Sequence, residues 1–440
     1  MTFIPNSEKT IKQMLRSINK DNFDNLFDFI PENMKFNNEL NIGKPLSEYE
    51  IINYIKKMND KNVSSNKIIF TGKGIYDHFV PSIVDFLSSR SEFYTAYTPY
   101  QPEVSQGTLQ CLYEYQTMIC ELSKMDISNA SIYDGASSLF EACIMANSYN
   151  KKNTILLSET IYENYIDVVK AIESNLNLNI EILSSKNGVT DLSKINNLND
   201  LCSVVIQSPN KYGILESWQK TSDIIKDSNT VLIAISNPLV LNHIKAPGDS
   251  GADIFIADGQ CLGNYMNFGG PTLGIMSAKS KFLRKIPGRV IGRTVDKTGK
   301  EGFVLTLQTR EQHIRRENAT SNICTNQNLL AIRALIYMAA LGKNGLKKVI
   351  TLCINKTQYL ISEIDKLKNY SVPFKKNIVN EFIVETKFDI DKMIMDAVNE
   401  DLFIQKSVYN DKNYLHLAVT EKRTKSDLDK LILFLSNYNG

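Results

Sequence analysis

The chain has 440 residues, more than one small core can organise and enough for two or three domains around one large sheet. Hydrophobic residues make up 43% and charged residues 22%, an ordinary globular balance, and the formal net charge of +2 signals neither a nucleic-acid footprint nor an acidic tail. Cys111, Cys120, Cys143, Cys202, Cys261, Cys324 and Cys353 are odd in number and include no C-x-x-C pair. No disulfide framework, zinc knuckle or other metal site is therefore expected, and a reducing, cytoplasmic setting is. No stretch reaches the roughly 18 to 20 apolar residues of a membrane span. The start MTFIPNSEKTIKQML lacks the apolar run of a signal peptide. Neither nucleic acid nor membrane is an expected partner.

Residues 7–20 carry Ile11, Met14, Leu15 and Ile18 on one helical face. Asn22 to Ile30 reads as a short amphipathic piece stopped by Pro31. Ser47 and Glu50 form a capping box that opens a helix to about Met58. These helices precede any strand and suggest an arm over 1–65 that packs on something else, such as a partner chain. Gly72-Lys73-Gly74 lacks the helix-opening Lys-Ser/Thr of a phosphate loop and reads equally as a turn needing positive φ.

The stretch FYTAYTPYQPEVSQG, Phe93 to Gly107, has three tyrosines and two prolines but no hydrophobic period. The prolines fix an extended path, and tyrosines on a rigid loop offer a flat apolar body with a polar tip. Such a loop is either a binding surface or a structural loop with its aromatics packed inward. A helix follows from about Thr108 to Leu122. Tyr133-Asp134-Gly135-Ala136-Ser137-Ser138 is a helix start rich in free amides, a generic anion site.

Strands and helices then alternate: strand Thr154–Leu157, helix Tyr162–Glu173, strands Ile180–Leu183 and Ser203–Ile206, helix Thr221–Lys226, strand Thr230–Ile235, and strand Ile254–Ile256. That alternation predicts a mostly parallel α/β sheet with ligand-binding loops at the strands' carboxyl ends. Those loops are Gln207–Gly213, Ser236–Leu239 and Asp258–Asn264. Residues 284–327 form a basic, glycine-punctuated block in which Arg289, Arg293, Arg310, Arg315 and Arg316 suit carboxylates or phosphates, or simply a solvated face. Helical text resumes near Asn326. The tail reads helix, strand Glu381–Glu385, helix, strand Leu415–Val419, helix, with a Thr424/Asp427 cap. The expected layout is an arm (1–65), a large domain (66–330) and a smaller C-terminal α/β domain (331–440).

Several long motifs carry a resemblance: FYTAYTPYQPEVSQGTLQ from Phe93, EYQTMICEL from Glu114, YDGAS from Tyr133, GADI with its downstream GQ and FGGP from Gly251, FVLTLQTREQHIRRE from Phe303, ATSNICTNQ from Ala319, and TEKRT from Thr420. With the opening IPNSEKTIKQML they span essentially the whole chain, which resembles the glycine decarboxylase P-protein family of the glycine cleavage system, in its split alpha form, subunit 1. Asn318 stands where the family's RREKATSN has lysine, and LFIQKSVYN (Leu402 to Asn410) lacks the glycine pair often found there.

The resemblance implies a fold-type I, aminotransferase-like subunit of the pyridoxal-phosphate-dependent transferases. It implies a partner, subunit 2, that carries pyridoxal phosphate on a lysine, two alpha and two beta chains in all. The implied reaction is decarboxylation of glycine with transfer of the aminomethyl group to the lipoyl arm of the H-protein. Pyridoxal phosphate needs a Schiff-base lysine and an acid at its pyridine nitrogen. In this chain the lysine slot reads Gln260-Cys261 and the acid slot reads Asn237, so no catalytic residue is expected here. Gly135, Ser137 and Ser138 remain as a vestigial phosphate site. Tyr97, Thr98, Tyr100 and Gln101 are the expected contribution to a shared site, followed by Arg289, Arg315, Arg316, Asn322, Cys324 and Thr325. Because glycine must lose its carboxylate, a tight arginine clamp on it would oppose the reaction, so the arginines suit subunit or carrier docking. Two other readings compete: a non-catalytic scaffold for the cofactor-bearing subunit or the carrier, and a self-sufficient pyridoxal enzyme with a lysine elsewhere.

Overall fold

The computed structural model describes residues 6–440 except 37, 63, 65, 66, 172 and 174; Ile4 and Pro5 of the opening motif and the end of the expected arm lie outside them. The chain divides into two compact units, Met1–Ser65 and Asn66–Gly440.

In the first unit, α1 (Glu8–Ser17) starts where Ser7 Oγ accepts from Thr10 N. Helix α2 (Glu48–Asn59) starts at the expected Ser47/Glu50 capping box. The amphipathic piece expected over 22–30 is only a 3₁₀ turn, Asp24–Phe27. Ile11, Met14 and Ile18 on α1, and Tyr49, Ile51, Ile52 and Ile55 on α2, are exposed.

The second unit is built on a seven-stranded sheet. Its strands are β1 (Ile127–Ser128), β2 (Thr154–Ser158), β3 (Asn179–Leu183), β4 (Leu201–Gln207), β5 (Val231–Ile235), β6 (Ile254–Asp258) and β7 (Gly274–Ala278), in spatial order β1-β7-β6-β5-β4-β2-β3. The run from β3 to β6 is parallel; β7 runs antiparallel to both β6 and β1. Every residue of β4 and β5 is buried, as a parallel sheet covered on both faces requires. Side chains alternate between two cores. Val204, Ile206, Leu232, Ala234 and Phe255 face one, and Cys202, Val205, Val231, Ile233 and Ile254 face the other.

Helix α3 (Ser82–Ser88) precedes α4 (Gln106–Ser123), which covers the first face; α5 (Gly135–Asn150) and α6 (Glu163–Lys170) cover the second. Helix α7 (Trp218–Ile225) begins three residues earlier than its apolar spacing suggests, because Ser217 Oγ caps Lys220 N and Trp218 Nε1 donates to Ile206 O. The basic block contains an antiparallel hairpin absent from the sequence reading, β8 (Val290–Val295) and β9 (Glu301–Thr306).

Helix α8 (Asn328–Ile364) is the one described helix long and apolar enough to cross a membrane by length and composition. Gly342 (φ 59°, ψ −179°) breaks it in the middle, and its apolar residues enter the cores on either side. Strands β10 (Tyr370–Ser371), β11 (Glu381–Thr386), β12 (Gln405–Tyr409) and β13 (Lys412–Ala418) form a second, antiparallel sheet in the order β10-β11-β13-β12. Helices α9 (Ile390–Asn399) and α10 (Lys425–Asn437) share the core of that sheet with the second half of α8.

Candidate functional site

The carboxyl ends of β5 and β6 meet the amino end of α5, the position where an open α/β sheet binds its ligands. Here the groups at that position bond to one another. Asp258, at the end of β6, accepts from Gly135 N (3.1 Å), Thr272 Oγ1 (2.7 Å) and Gln260 N (2.9 Å). Asp134 caps the same helix, taking Ser137 N at 2.7 Å, and Ser138 Oγ donates to Asp134 O at 2.8 Å. Tyr165 lies over the helix start so closely that a Cβ on Gly135 would stand 1.9 Å from its hydroxyl. Gly135 N, Ser137 N and Ser138 Oγ are thus engaged within the chain. Desolvation, reinforced by Asp134, outweighs the three hydrogen bonds and raises the Asp258 carboxyl to about 6.

Next to Asp258, Cys261 Sγ donates to Asn237 Oδ1 at 3.2 Å, so the residues that the sequence places in the lysine and acid slots do meet. Burial raises the Cys261 thiol far above its ordinary range, which keeps it protonated. Gln260 is 1% exposed and holds the chain at Tyr76, accepting from Tyr76 N and donating to Tyr76 O and Asn264 O. Tyr76, Tyr162, Tyr165, Asn237 and Cys261 leave a cavity of about 20 Å³, room for about one water molecule. A wider cleft of about 410 Å³ opens beyond it, between Lys73, Tyr133, Tyr165, Asp258 and Gln327.

The second sheet closes this space. Glu381 Oε1 accepts from the hydroxyls of Tyr76 (2.8 Å) and Tyr162 (2.7 Å), while its Oε2 takes Lys73 N (2.9 Å) and faces His416 Nε2 (3.0 Å). Burial alone would raise the Glu381 carboxyl, but His416 and the donors around it prevail and lower it. Burial and the Glu381 charge keep both tyrosines protonated.

The aromatic loop is arranged differently. Tyr97 is 78% and Tyr100 45% exposed; Gln101 is also exposed and Thr98 half-buried. Gln106 anchors the loop to β9, exchanging hydrogen bonds with Phe303 and donating to Pro102 O. Arg289, expected among the interface residues, is only 2% exposed. Its guanidinium donates to Tyr100 Oη and Asn326 Oδ1, each at 3.2 Å, and lies 5.4 Å from the Tyr100 ring centre. His313 packs edge-on against Tyr100. The structure therefore gathers Tyr100, Arg289, Asn326 and His313, and leaves Arg315, Arg316, Asn322, Cys324 and Thr325 on the surface. The sequence reading missed Asp258, Tyr165 and Glu381. Only Asp258 left a local signal, an acid ending an otherwise apolar strand.

The sheet order, with one antiparallel strand beside a parallel run, and the ligand position outside β5 and β6 define a fold-type I enzyme subunit. The sequence profile of the glycine cleavage system P-protein matches residues 1–435, and the chain belongs to that family. It is 42% identical over 436 residues to the probable glycine dehydrogenase (decarboxylating) subunit 1 of Chloroherpeton thalassium, covering 98% of each chain. It is 43% identical to the protein of the same name from a Geobacillus species, covering 98% of this chain and 97% of that one. A crystal structure of glycine decarboxylase (P-protein) of the glycine cleavage system, in inhibitor-bound form, superposes with a TM-score of 0.92 at 35% identity, covering 99% of both chains. The glutamate decarboxylase of Lactobacillus brevis, at 9% identity and TM-score 0.70 over 92% of this chain and 95% of that one, shares the fold alone.

Proposed function

We infer that this chain is subunit 1 of a two-subunit glycine decarboxylase of the glycine cleavage system. It works with a subunit 2 to release CO2 from glycine and pass the aminomethyl group to the lipoyl arm of the H-protein. The observation that carries this reading is the end-to-end similarity to proteins named as subunit 1 of that enzyme. The free state of all seven cysteines accords with a reducing cytoplasm.

Fold-type I enzymes use pyridoxal phosphate, and the residues in this chain's own cleft do not fit it. On the slots assigned from the sequence, Gln260-Cys261 and Asn237 replace the amine and the acid that the cofactor needs, and the bond between Cys261 and Asn237 supports that reading. The helix start that would receive a phosphate already faces the carboxylates of Asp134 and Asp258. A dianion there would meet like charge where it needs donors. The reading therefore assigns the cofactor to subunit 2. To this chain it assigns the walls of the shared site, with Tyr97, Thr98, Tyr100 and Gln101 reaching across on a loop stiffened by Arg289 and Gln106. An assembly of two copies of each subunit follows from the same reading.

The visible spectrum of the purified chain with pyridoxal phosphate, alone and then with subunit 2, tests the division of labour. The expected result is no protein-bound chromophore from the chain alone, and CO2 release from glycine only with both subunits. A borohydride-fixed cofactor on one lysine of this chain, with CO2 release by the chain alone, would overturn it. Tyr97→Ala and Tyr100→Ala separate a shared site from a pure scaffold. Loss of positioning lowers turnover by roughly 10- to 100-fold in a complex that still assembles; a scaffold keeps its turnover.

A further inference from the structure

Arg310 follows β9 in a 3₁₀ turn, Gln308–Arg310, and its guanidinium reaches under the chain at 284–288. Nη1 donates to Ile286 O, while Nε and Nη2 are buried without a partner. Among the described residues it is the one side chain with two such orphaned nitrogens. Among the described residues it forms no ion pair, and neither do Arg284, Lys285, Arg315 or Arg316, whereas Lys281, Arg293 and Arg333 each hold a carboxylate. Glu311, the adjacent acid, lines the same pocket and acts on Arg310 through space but forms no ion pair with it: its Oε2 lies 3.7 Å from His313 Nδ1, and its Oε1 is itself buried and unpartnered.

Apart from Glu311, the charged groups around the pocket are cationic. Lys285 Nζ donates only to Ser148 O and Ser148 Oγ, and burial together with Lys151 and Arg315 lowers its pKa. Burial likewise lowers Arg310, with Glu311 opposing the shift. Arg284, Lys285, Gly288, Arg310, Glu311 and Ser321 are among the residues that bound a cavity of about 10 Å³, room for one atom-sized group. A buried guanidinium without a counter-charge is destabilising, and its planar fork matches a carboxylate. The size of the cavity favours a single oxygen of a small group over a phosphate.

We propose that this pocket is a carboxylate site: Arg310 receives one carboxylate, from a small free anion or from an acidic side chain of another chain, with Arg284 and Lys285 at its mouth. The site is separate from the cleft at Asp258, and its first test needs only this chain. Its failure is therefore distinct from a failure of the functional reading.

The full-length chain is titrated with sodium acetate, ionic strength being held with sodium Hepes, whose sulfonate is too bulky to enter, and thermal unfolding is followed. The wild type gains stability saturably, with a midpoint of roughly millimolar order, as one exposed-mouth ionic contact gives. Arg310→Met shows no such gain. Without acetate it is at least as stable as the wild type, because an uncompensated charge is gone, so the two curves cross. Arg293→Met, on the exposed hairpin, tracks the wild type. Parallel acetate responses in wild type and Arg310→Met, or an Arg310→Met variant less stable at every acetate concentration, would overturn the proposal. Should Arg310→Met fail to fold, Arg284→Met decides: a midpoint at least threefold higher supports the site, and an unchanged one removes it. Repeating the titration on the complex with subunit 2 identifies the source. A lost acetate response means that the partner's acidic side chain fills the pocket, and a retained one means a free anion.

Discussion

The start of α5 and the guanidinium of Arg310 are both positive groups enclosed in the same unit, and they differ in what neutralises them. The helix start is furnished from within: Asp134 and Asp258 supply carboxylates, and Tyr165 fills the space above Gly135. Arg310 donates to one carbonyl, its Nε and Nη2 have no partner, and the adjacent Glu311 forms no ion pair with it. A helix start that already faces the chain's own carboxylates has less to offer an outside anion. A position that still needs an outside group is marked by an unanswered charge. The same contrast separates Glu381, whose two oxygens meet four donors or donor-capable groups, from Arg289, which is buried against only the neutral partners Tyr100 and Asn326.

The self-satisfied region should break hardest at Glu381. Glu381→Leu leaves the Tyr76 and Tyr162 hydroxyls only each other as partner and strands His416 Nε2 and Lys73 N, and removing one member of a buried charged network costs about 3–5 kcal/mol. Denaturant unfolding of the chain measures it. A loss below about 1 kcal/mol, the size of one ordinary hydrogen bond, would mean that packing alone closes the cleft and that the contrast with Arg310 is not electrostatic.

Asp258 tests the same comparison with pH. Its carboxyl is raised to about 6 from an unfolded value near 3.8, so between those values the folded state binds more protons than the unfolded one. Stability therefore falls as pH rises through that window, and above 6 the charged form is a standing cost. Two pH units correspond to about 3 kcal/mol. Because Asp258 borders the open cleft, solvent screening reduces this to roughly 1–2 kcal/mol. Asp258→Asn should gain about that much at pH 7.5 and converge with the wild type near pH 4. A constant difference across the range would show that its charge is already compensated.

Much of this arrangement was legible in the sequence, and the limits have physical reasons. The parallel strands read clearly because burial on both faces leaves apolar runs such as Val204 to Ile206 and Val231 to Ile235. The slots at Asn237 and Cys261 followed from their places after such runs. The β8–β9 hairpin did not, because Gly292, Gly299 and Gly302 and the polar turn between the strands look like loop. Strand β12 was missed although Asn410 and Asp411, both at positive φ (48° and 58°), form the two-residue turn that pairs Tyr409 with Lys412. The polar closures were out of reach altogether. Tyr76 meets Glu381 across 305 residues and Tyr100 meets Arg289 across 189, and no local pattern encodes such pairs. Arg289 consequently reads as a surface residue until its burial is seen.

The smallest expected effect is at Cys261. Its thiol is fully enclosed, protonated, and donates to Asn237 Oδ1. A serine keeps a donor at nearly the same place and loses little volume, so Cys261→Ser should change stability by less than about 1 kcal/mol. In the complex with subunit 2, turnover on glycine should stay within twofold of the wild type, since this side of the sheet end is closed by Tyr76, Tyr162 and Tyr165. The aromatic loop supplies the reference, because Tyr97→Ala perturbs an exposed side chain that stabilises nothing within the chain. If Cys261→Ser lowers turnover as much as Tyr97→Ala does, the cleft is coupled to the chemistry, and its closure is a working part of the enzyme.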